Sequence, residues 1–270
     1  MTSTKHLTAT VLVATVLLGA ALPVGAADLS QLGLSQSQVD ALNAQLTAPA
    51  VAPGISFGSP VAFGAGWGQA FFGIGGQTEP KNNPNVDNVD GSASLGMGIG
   101  DPYTLVGLEG VVTAISLNNG FGEDGDVSLK LHRVLPGRSG IAIGVDNTTR
   151  WGAAKGTKAG TYAAFTKVMD LNGDTARFPV PVAFNIGVGN GRFAKPGSPN
   201  DVGVFGSLSV APWRQVSFIA DFDGRDANAG ISVVPFPRVP MIVTLGAIHL
   251  GQRYNTDTEF AGGLGYLFSF

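Results

Sequence analysis

The chain has 270 residues, no cysteine, 40 glycines and only 13% charged residues. Its formal net charge of −3 provides no basic surface for nucleic acid, and a chain without cysteine cannot be stabilised by disulfides. The mean hydropathy of +0.23 is high for a soluble protein, yet beyond the N-terminal apolar run no stretch is long enough for a spanning helix.

The first 26 residues have the features of an export signal. Lys5 precedes an apolar run from Leu7 to Leu22, and Val24-Gly25-Ala26 fits a small-residue cleavage site. The alternative is an uncleaved membrane anchor, which Pro23 disfavours. We expect cleavage near Ala26 and a mature chain that starts near Ala27.

Residues 27–59 are predicted to form a periplasmic N-terminal segment before the barrel. Ser35 to Leu46 has the apolar spacing of a short helix, and the Ala/Pro-rich stretch from Thr47 to Gly54 is typical of a linker. Two interpretations remain open. The segment is either a loosely ordered leader, or its helix plugs the barrel or docks in the periplasm.

From residue 60 to residue 270 apolar residues alternate with small or polar ones, as in strands with two different faces. Between Asp126 and His132, valine and leucine alternate with charged and polar residues. A sandwich core rarely tolerates such charges, whereas a barrel can direct them into its lumen and its apolar face towards lipid. Twelve candidate strands lie near residues 68–76, 91–100, 104–117, 125–134, 139–147, 160–169, 181–190, 201–210, 214–223, 227–235, 240–250 and 259–270. The predicted fold class is all-β: a closed antiparallel up-and-down transmembrane β-barrel of about twelve strands, with a short N-terminal helix.

The connections between these strands predict the orientation of the barrel. With a periplasmic C-terminus, even-numbered connections should be short turns and odd-numbered ones longer external loops. Most follow this rule; the 170–180 connection is long for its side and the 224–226 connection is short. Aromatic residues at the predicted ends serve either as interfacial girdles or in local loop packing. They are Tyr103, Trp213, Phe236 and Phe270 at the periplasmic end, and Phe121, Trp151, Phe193 and Tyr254 at the other.

The last strand ends with alternating apolar residues, Leu264, Tyr266, Phe268 and the terminal Phe270. This pattern resembles the C-terminal signal that bacterial assembly machinery recognises in outer-membrane barrels, which implies that machinery as a partner during biogenesis. We expect the strand to close the barrel, with Phe270 near Phe72 of the first strand.

Two internal stretches, from Gly187 to Phe193 and from Asp221 to Gly230, resemble segments of YjbH-type barrel proteins. That family is associated with exopolysaccharide production. The resemblance implies an accessory role in the cell envelope, with envelope polysaccharide as a partner.

Charged residues with inward parity are the candidate functional residues, because a charge in a narrow lumen must be paired or solvated. Aligning strands through their short turn places Glu109 almost opposite Lys130, and we predict a cross-strand ion pair. The pair is either a constriction that selects permeants by charge or a neutral pair that helps to fill the lumen. The predicted lumen-lining polar residues are Glu109, Lys130, His132, Asp146, Lys167, Asp221 and Asp223.

The sequence predicts no metal site and no cofactor site. Asp170-Leu171-Asn172-Gly173-Asp174 has the acidic spacing of a calcium loop but lacks the closing glutamate. Gly96, Gly98 and Gly100 follow strand alternation and are predicted to be small lumen residues. His132 shares a face with Ser128, but no third group is evident to orient the histidine as a catalytic base.

The sequence therefore predicts a monomeric barrel in the outer membrane, without enzymatic activity. It would be a narrow porin-like channel or an exopolysaccharide-associated accessory barrel, and its partners would be membrane lipid, envelope polysaccharide or small solutes. An outer-membrane lipid hydrolase or acyltransferase is the alternative from another class.

Overall fold

A computed structural model describes residues 51–78, 89–115, 121–152, 154, 158–173, 179–255 and 257–270, with Val89, Asp90 and Asn255 described by their backbone alone. The predicted export signal and the predicted helix from Ser35 to Leu46 lie outside these ranges.

The described residues form a closed antiparallel barrel of twelve strands. Each strand pairs with the next along the chain, and the last pairs with the first. The strands are β1 Gln69–Thr78, β2 Val89–Gly100, β3 Gly107–Ile115, β4 Asp124–Leu135, β5 Ser139–Trp151, β6 Gly160–Asp170, β7 Pro181–Gly189, β8 Gly203–Trp213, β9 Val216–Phe222, β10 Ala227–Val233, β11 Met241–Ile248 and β12 Glu259–Ser269. The all-β class, the closure and the strand number are confirmed.

Closure occurs between β1 and β12 over nine residue pairs, from Gln69 opposite Ser269 to Gln77 opposite Ala261. The predicted partner of Phe270 is wrong by a few residues. Phe72 lies opposite Tyr266, while the Phe270 N–H donates to the Gly68 carbonyl at 2.9 Å and its ring packs edge-on against Trp67. The final residue therefore extends past the strand pairing and meets the chain just before β1.

The two ends of the barrel differ in their connections. One end, called here the turn end, carries the start of β1, the end of β12 and the even-numbered connections; the loop end carries the odd-numbered ones. The turn between β4 and β5 is only residues 136–138, whereas residues 190–202 join β7 to β8. The two exceptions expected from the sequence, the long 171–180 connection and the short 223–226 connection, are present.

Side chains alternate between an apolar outer face and a small or polar inner face. In β3, Leu108 and Val112 are exposed, whereas Glu109, Val111 and Thr113 are buried. Tyr103, Trp213, Phe236 and Phe270 are all exposed at the turn end. At the loop end Phe121 and Tyr254 are exposed, but Phe193 is fully buried.

Lys167 departs from its predicted inward parity. In β6 the buried residues are Tyr162, Ala164 and Thr166, so Lys167 belongs to the outward face. Its Nζ donates to the Gly137 carbonyl at the turn end. The long aliphatic side chain of a lysine near a strand end can carry its ammonium group from the outer face to the polar rim. The charge of Lys167 therefore did not show that its side chain points into the lumen.

Candidate functional site

The interior of the barrel is filled by the chain that precedes β1. Residues 51–66, called here the lumen hairpin, rise from the turn end, reverse at Gly58 and Ser59 near the loop end, and return to β1. The prediction divided the chain at residue 60 and placed residues 27–59 in the periplasm. In the structure residues on both sides of that boundary belong to one hairpin inside the lumen.

The rising limb is bound by hydroxyl groups of the wall. Ser232 Oγ accepts from the Gly54 N–H at 2.8 Å, and Ser217 Oγ donates to the Gly54 carbonyl. Ser207 Oγ donates to the Ile55 carbonyl at 2.9 Å. These serines lie on inward positions of β8, β9 and β10, so one row of small polar residues satisfies backbone groups that would otherwise be buried without partners.

Asp221 binds the tip of the hairpin. Its Oδ2 accepts from Ser56 Oγ at 2.9 Å and from the N–H groups of Phe57 and Ser59, both at 3.2 Å. Three donors from four consecutive residues thus converge on one buried carboxylate oxygen. Such convergence compensates the desolvation of a charge and fixes the reversal of the chain. Ser59 Oγ also donates to the Phe222 carbonyl at 3.0 Å.

The returning limb is bound first by β6 and β7. Thr166 Oγ1 accepts from the Ala62 N–H at 2.8 Å and itself donates to Asn185 Oδ1 at 2.8 Å. Asn185 Nδ2 donates to the Pro60 carbonyl at 3.1 Å. Thr166 and Asn185 are almost completely buried, so water cannot substitute for these hydrogen bonds if one of them is lost.

The predicted ion pair between Glu109 and Lys130 is present. The two residues are direct partners in the β3–β4 register, and Lys130 Nζ lies 2.8 Å from Glu109 Oε1. Both side chains also bind the hairpin: Lys130 Nζ donates to the Phe63 carbonyl at 2.8 Å, and Glu109 Oε2 accepts from the Ala65 N–H at 2.7 Å. The charged groups of the pair are therefore bound to the backbone of the hairpin and do not line an open passage.

His132 completes this contact with the hairpin. Its Nε2 lies 3.0 Å from the Ala65 carbonyl, which can only accept, so Nε2 carries the proton. Ser128 Oγ donates to Asp126 and not to His132. The arrangement assigns His132 to binding of the lumen hairpin.

Glycines of the wall and of the hairpin allow the two to approach closely. A Cβ atom added at Gly98 would lie 2.2 Å from the Ala65 carbonyl oxygen, and one at Gly64 would lie 2.7 Å from Lys130 Cε. Gly98 is one of the three glycines predicted to be small lumen residues. Its lack of a side chain lets the backbone of the hairpin lie directly against β2.

Apolar contacts hold the hairpin at the turn end. Val51, the first described residue, is buried in a cluster with Val234, Ile242 and Leu267. Leu267 is the one large apolar residue on the inner face of β12, and its contact with this cluster accounts for that exception. Burying such side chains contributes about 1.5–3 kcal/mol each.

At the loop end a short helical turn connects the wall to the tip of the hairpin. Arg192, in the 3-10 turn Gly191–Phe193, donates through Nε to Asp146 Oδ2 at 2.7 Å and through Nη1 to the Gly58 carbonyl at 3.0 Å. Burial disfavours the guanidinium charge, but the charge and hydrogen bond of Asp146, together with Asp223 and Tyr162, outweigh this and raise the pKa of Arg192. Phe193 packs between Tyr162 and Phe205, which explains its burial.

Asp223 lies in the turn between β9 and β10. Its Oδ1 accepts from the N–H groups of Arg225 and Asp226, and its Oδ2 accepts from Asn228. It therefore stabilises the turn. Among the described residues no group of three or more metal-ligating side chains is arranged to hold an ion.

Sequence reasoning missed the hairpin, although it named four residues that bind it, Glu109, Lys130, His132 and Asp221. The missed signal was the concentration of serine, threonine and asparagine on inward positions of successive strands, opposite a segment of small and apolar residues. Those inward residues are Thr166, Asn185, Ser207, Ser209, Ser217, Asn228, Ser232 and Thr244.

The fold and the lumen together define a closed twelve-stranded β-barrel whose interior is occupied by its own N-terminal hairpin, and such a closed barrel fits a membrane barrel. No helix among the described residues is long and apolar enough to cross a membrane. Comparison with known proteins finds no matching protein-family model and no matching curated protein.

Proposed function

We propose that this protein is an integral outer-membrane β-barrel that is closed at rest and serves as an accessory of the cell envelope. The occupied lumen carries this proposal, because residues 51–66 fill the space that a permanently open porin would leave for solutes. Val51, where the described part of the hairpin begins, would then lie at the periplasmic end of the barrel.

The outer face of the barrel supports insertion in a membrane. Large apolar side chains are exposed around the wall, including Leu95 at 61% and Ile143 at 59%. In water this continuous apolar surface would promote aggregation, whereas in a bilayer it faces hydrocarbon. Exposed aromatic residues at the turn end are in the position of an interfacial girdle.

The loop end supports envelope polysaccharide as the candidate partner. The two stretches that resemble YjbH-type barrels contact each other there, since Arg225 donates to the Gly191 carbonyl at 3.1 Å. Each stretch also binds the tip of the lumen hairpin, one through Arg192 and the other through Asp221. The resemblance therefore covers one spatial unit rather than two unrelated segments.

Fractionation and electrical recording test the proposal together. We expect the protein in the outer-membrane fraction, with the heat-modifiable electrophoretic mobility of a folded barrel. We also expect the purified wild type to be silent in planar bilayers, and a deletion strain to export less polysaccharide. A soluble periplasmic species would contradict membrane insertion, and steady porin-like conductance would contradict the closed resting state.

A lipid hydrolase or acyltransferase remains the alternative from the enzyme class. His132 and Glu109 are engaged by the backbone of the hairpin in the closed barrel, which favours the accessory role. Incubating the reconstituted barrel with phospholipid and lipopolysaccharide tests this alternative directly. Release or transfer of fatty acid that is lost in His132→Gln would establish the enzyme.

A further inference from the structure

The lumen hairpin is not part of the sheet that encloses it. The twelve strand pairings form a complete ring, and residues 51–65 are held by the hydrogen bonds from wall side chains described above. A plug that donates no strand to its barrel can leave without breaking the ladder. Hydroxyl and amide groups of the wall can exchange such partners for water.

The wall left behind would be wettable. Its inward residues in β6 to β11 include eight serine, threonine and asparagine side chains with glycine and alanine between them, together with five larger residues, Tyr162, Phe205, Ile219, Ile242 and Ile248. The hairpin itself carries the large apolar groups, Ile55, Phe57, Val61 and Phe63. Its departure would therefore remove these apolar groups from the lumen and expose to water the hydroxyl and amide groups of the wall that bind its backbone.

The space is sufficient for small solutes. Two adjacent extended limbs occupy a cross-section of roughly 10 by 10 Å, given the usual spacings of strands and packed sheets. Gly64 and Gly66 flank the last lumen contact at Ala65, just before the chain joins β1 at Gln69. Their backbone freedom places a pivot at the turn end.

The charge of the emptied lumen is negative. Among the described strand residues, the buried carboxylates are Glu109, Asp126, Asp221 and Glu259, and the only buried lysine or arginine is Lys130. With the hairpin absent, Asp221 would lose the donors of Ser56, Phe57 and Ser59 and face water. Carboxylates in a narrow passage concentrate cations and exclude anions.

We propose that the lumen hairpin is a displaceable gate, and that its withdrawal towards the turn end opens a narrow passage for small hydrophilic cations. This gating rests on the proposed membrane insertion, and it adds a conducting state to the closed barrel. Asp221 is the latch at the tip, and the buried phenylalanines of the hairpin keep the gate shut at rest.

A variant of the hairpin itself weakens the latch without altering the wall. Ser56→Ala/Ser59→Ala removes the Ser56 hydrogen bond to Asp221 and the Ser59 hydrogen bond to the Phe222 carbonyl. Loss of these bonds is expected to raise the open fraction about tenfold or more. We expect stepwise conductance in KCl, with a reversal potential of the sign that indicates K⁺ preference over Cl⁻.

An engineered disulfide closes the gate reversibly, because the natural chain has no cysteine. An ideal Cβ at Gly54 would lie 3.4 Å from Ser232 Cβ, close to the separation that a disulfide requires. Gly54→Cys/Ser232→Cys in the latch variant should abolish conductance when oxidised and restore it on reduction. Gly73→Cys/Ser94→Cys is the matched control, since it joins β1 to β2 without touching the hairpin.

The outcomes distinguish failure of the gate from failure of the proposed insertion in the membrane. Conductance that is silenced only by the Gly54–Ser232 disulfide supports the gate. A latch variant that inserts as a folded barrel but stays silent overturns it, as does conductance that persists with the disulfide formed. Anion preference overturns the assigned permeant class. Failure of the wild type to insert into liposomes overturns the proposed function as well.

Discussion

The substitution Gly98→Ala tests whether the returning limb lies against β2. The new Cβ would meet the Ala65 carbonyl oxygen at 2.2 Å and its carbonyl carbon at 2.3 Å. Both distances are about 1 Å shorter than ordinary van der Waals contact, and the atoms met are backbone, which cannot turn aside as a side chain can. Overpacking of this kind costs about 1–3 kcal/mol.

Gly73→Ala is the matched control for this substitution. Gly73 is also a strand glycine, but its added Cβ would have no neighbour nearer than 3.9 Å. Urea unfolding of the two refolded variants, followed by tryptophan fluorescence, measures the difference in free energy of unfolding. We expect Gly98→Ala to be destabilised by about 1–3 kcal/mol and Gly73→Ala by less than about 0.5 kcal/mol. Equal effects would refute the contact between the hairpin and β2.

Three further predictions follow from the lumen and the loop end. Glu109→Gln should lower the free energy of unfolding by about 3–5 kcal/mol, because it leaves Lys130 buried without its counter-charge. Adding Lys130→Met should recover part of that loss. Strictly additive losses of the two substitutions in urea unfolding would contradict the pair. Thr166→Val should cost about 1–3 kcal/mol by leaving the Ala62 N–H unpaired, whereas Thr166→Ser should keep the hydrogen bond and most of the stability. The Glu259 carboxylate lies 3.6 Å from His249 Nδ1 and raises the pKa of His249. The protonated imidazole therefore stabilises the fold fully at pH values below the ordinary pKa of histidine, and this contribution is lost as the pH rises through the raised pKa. The urea midpoint of the wild type should therefore fall more between about pH 5 and about pH 8 than that of His249→Asn, and parallel profiles would contradict this role.

The barrel could be predicted from the sequence because its determinants are local. Alternation such as Val127, Leu129 and Leu131 against charged neighbours defines a strand and its faces without knowledge of its partner. The Glu109–Lys130 pair was equally accessible, because the two residues lie on strands that are consecutive in the chain and pair directly in an antiparallel barrel. The prediction failed for Lys167, where a strand-end lysine extends to the rim from the outer face.

The lumen hairpin could not be predicted in the same way, because its conformation depends on residues far along the chain. Gly54 binds Ser232, and Ser59 binds Asp221, each more than 150 residues away in sequence. The segment from Ile55 to Phe63 has strand-like alternation of its own, and a local pattern of this kind does not distinguish a strand of the wall from a chain that lies inside it. Only the assembled wall supplies the donors and acceptors that fix it, which is why the sequence left open whether the N-terminal region plugs the barrel.

Hydrogen–deuterium exchange of the folded barrel tests the central claim most directly, that residues 51–66 fill the lumen. The N–H groups of Gly54, Phe57, Ala62 and Ala65 donate to buried wall side chains. Peptides from this segment should therefore exchange far more slowly than an unstructured chain of the same sequence. Exchange at the rate of an unstructured chain, in a barrel whose strands remain protected, would contradict the account.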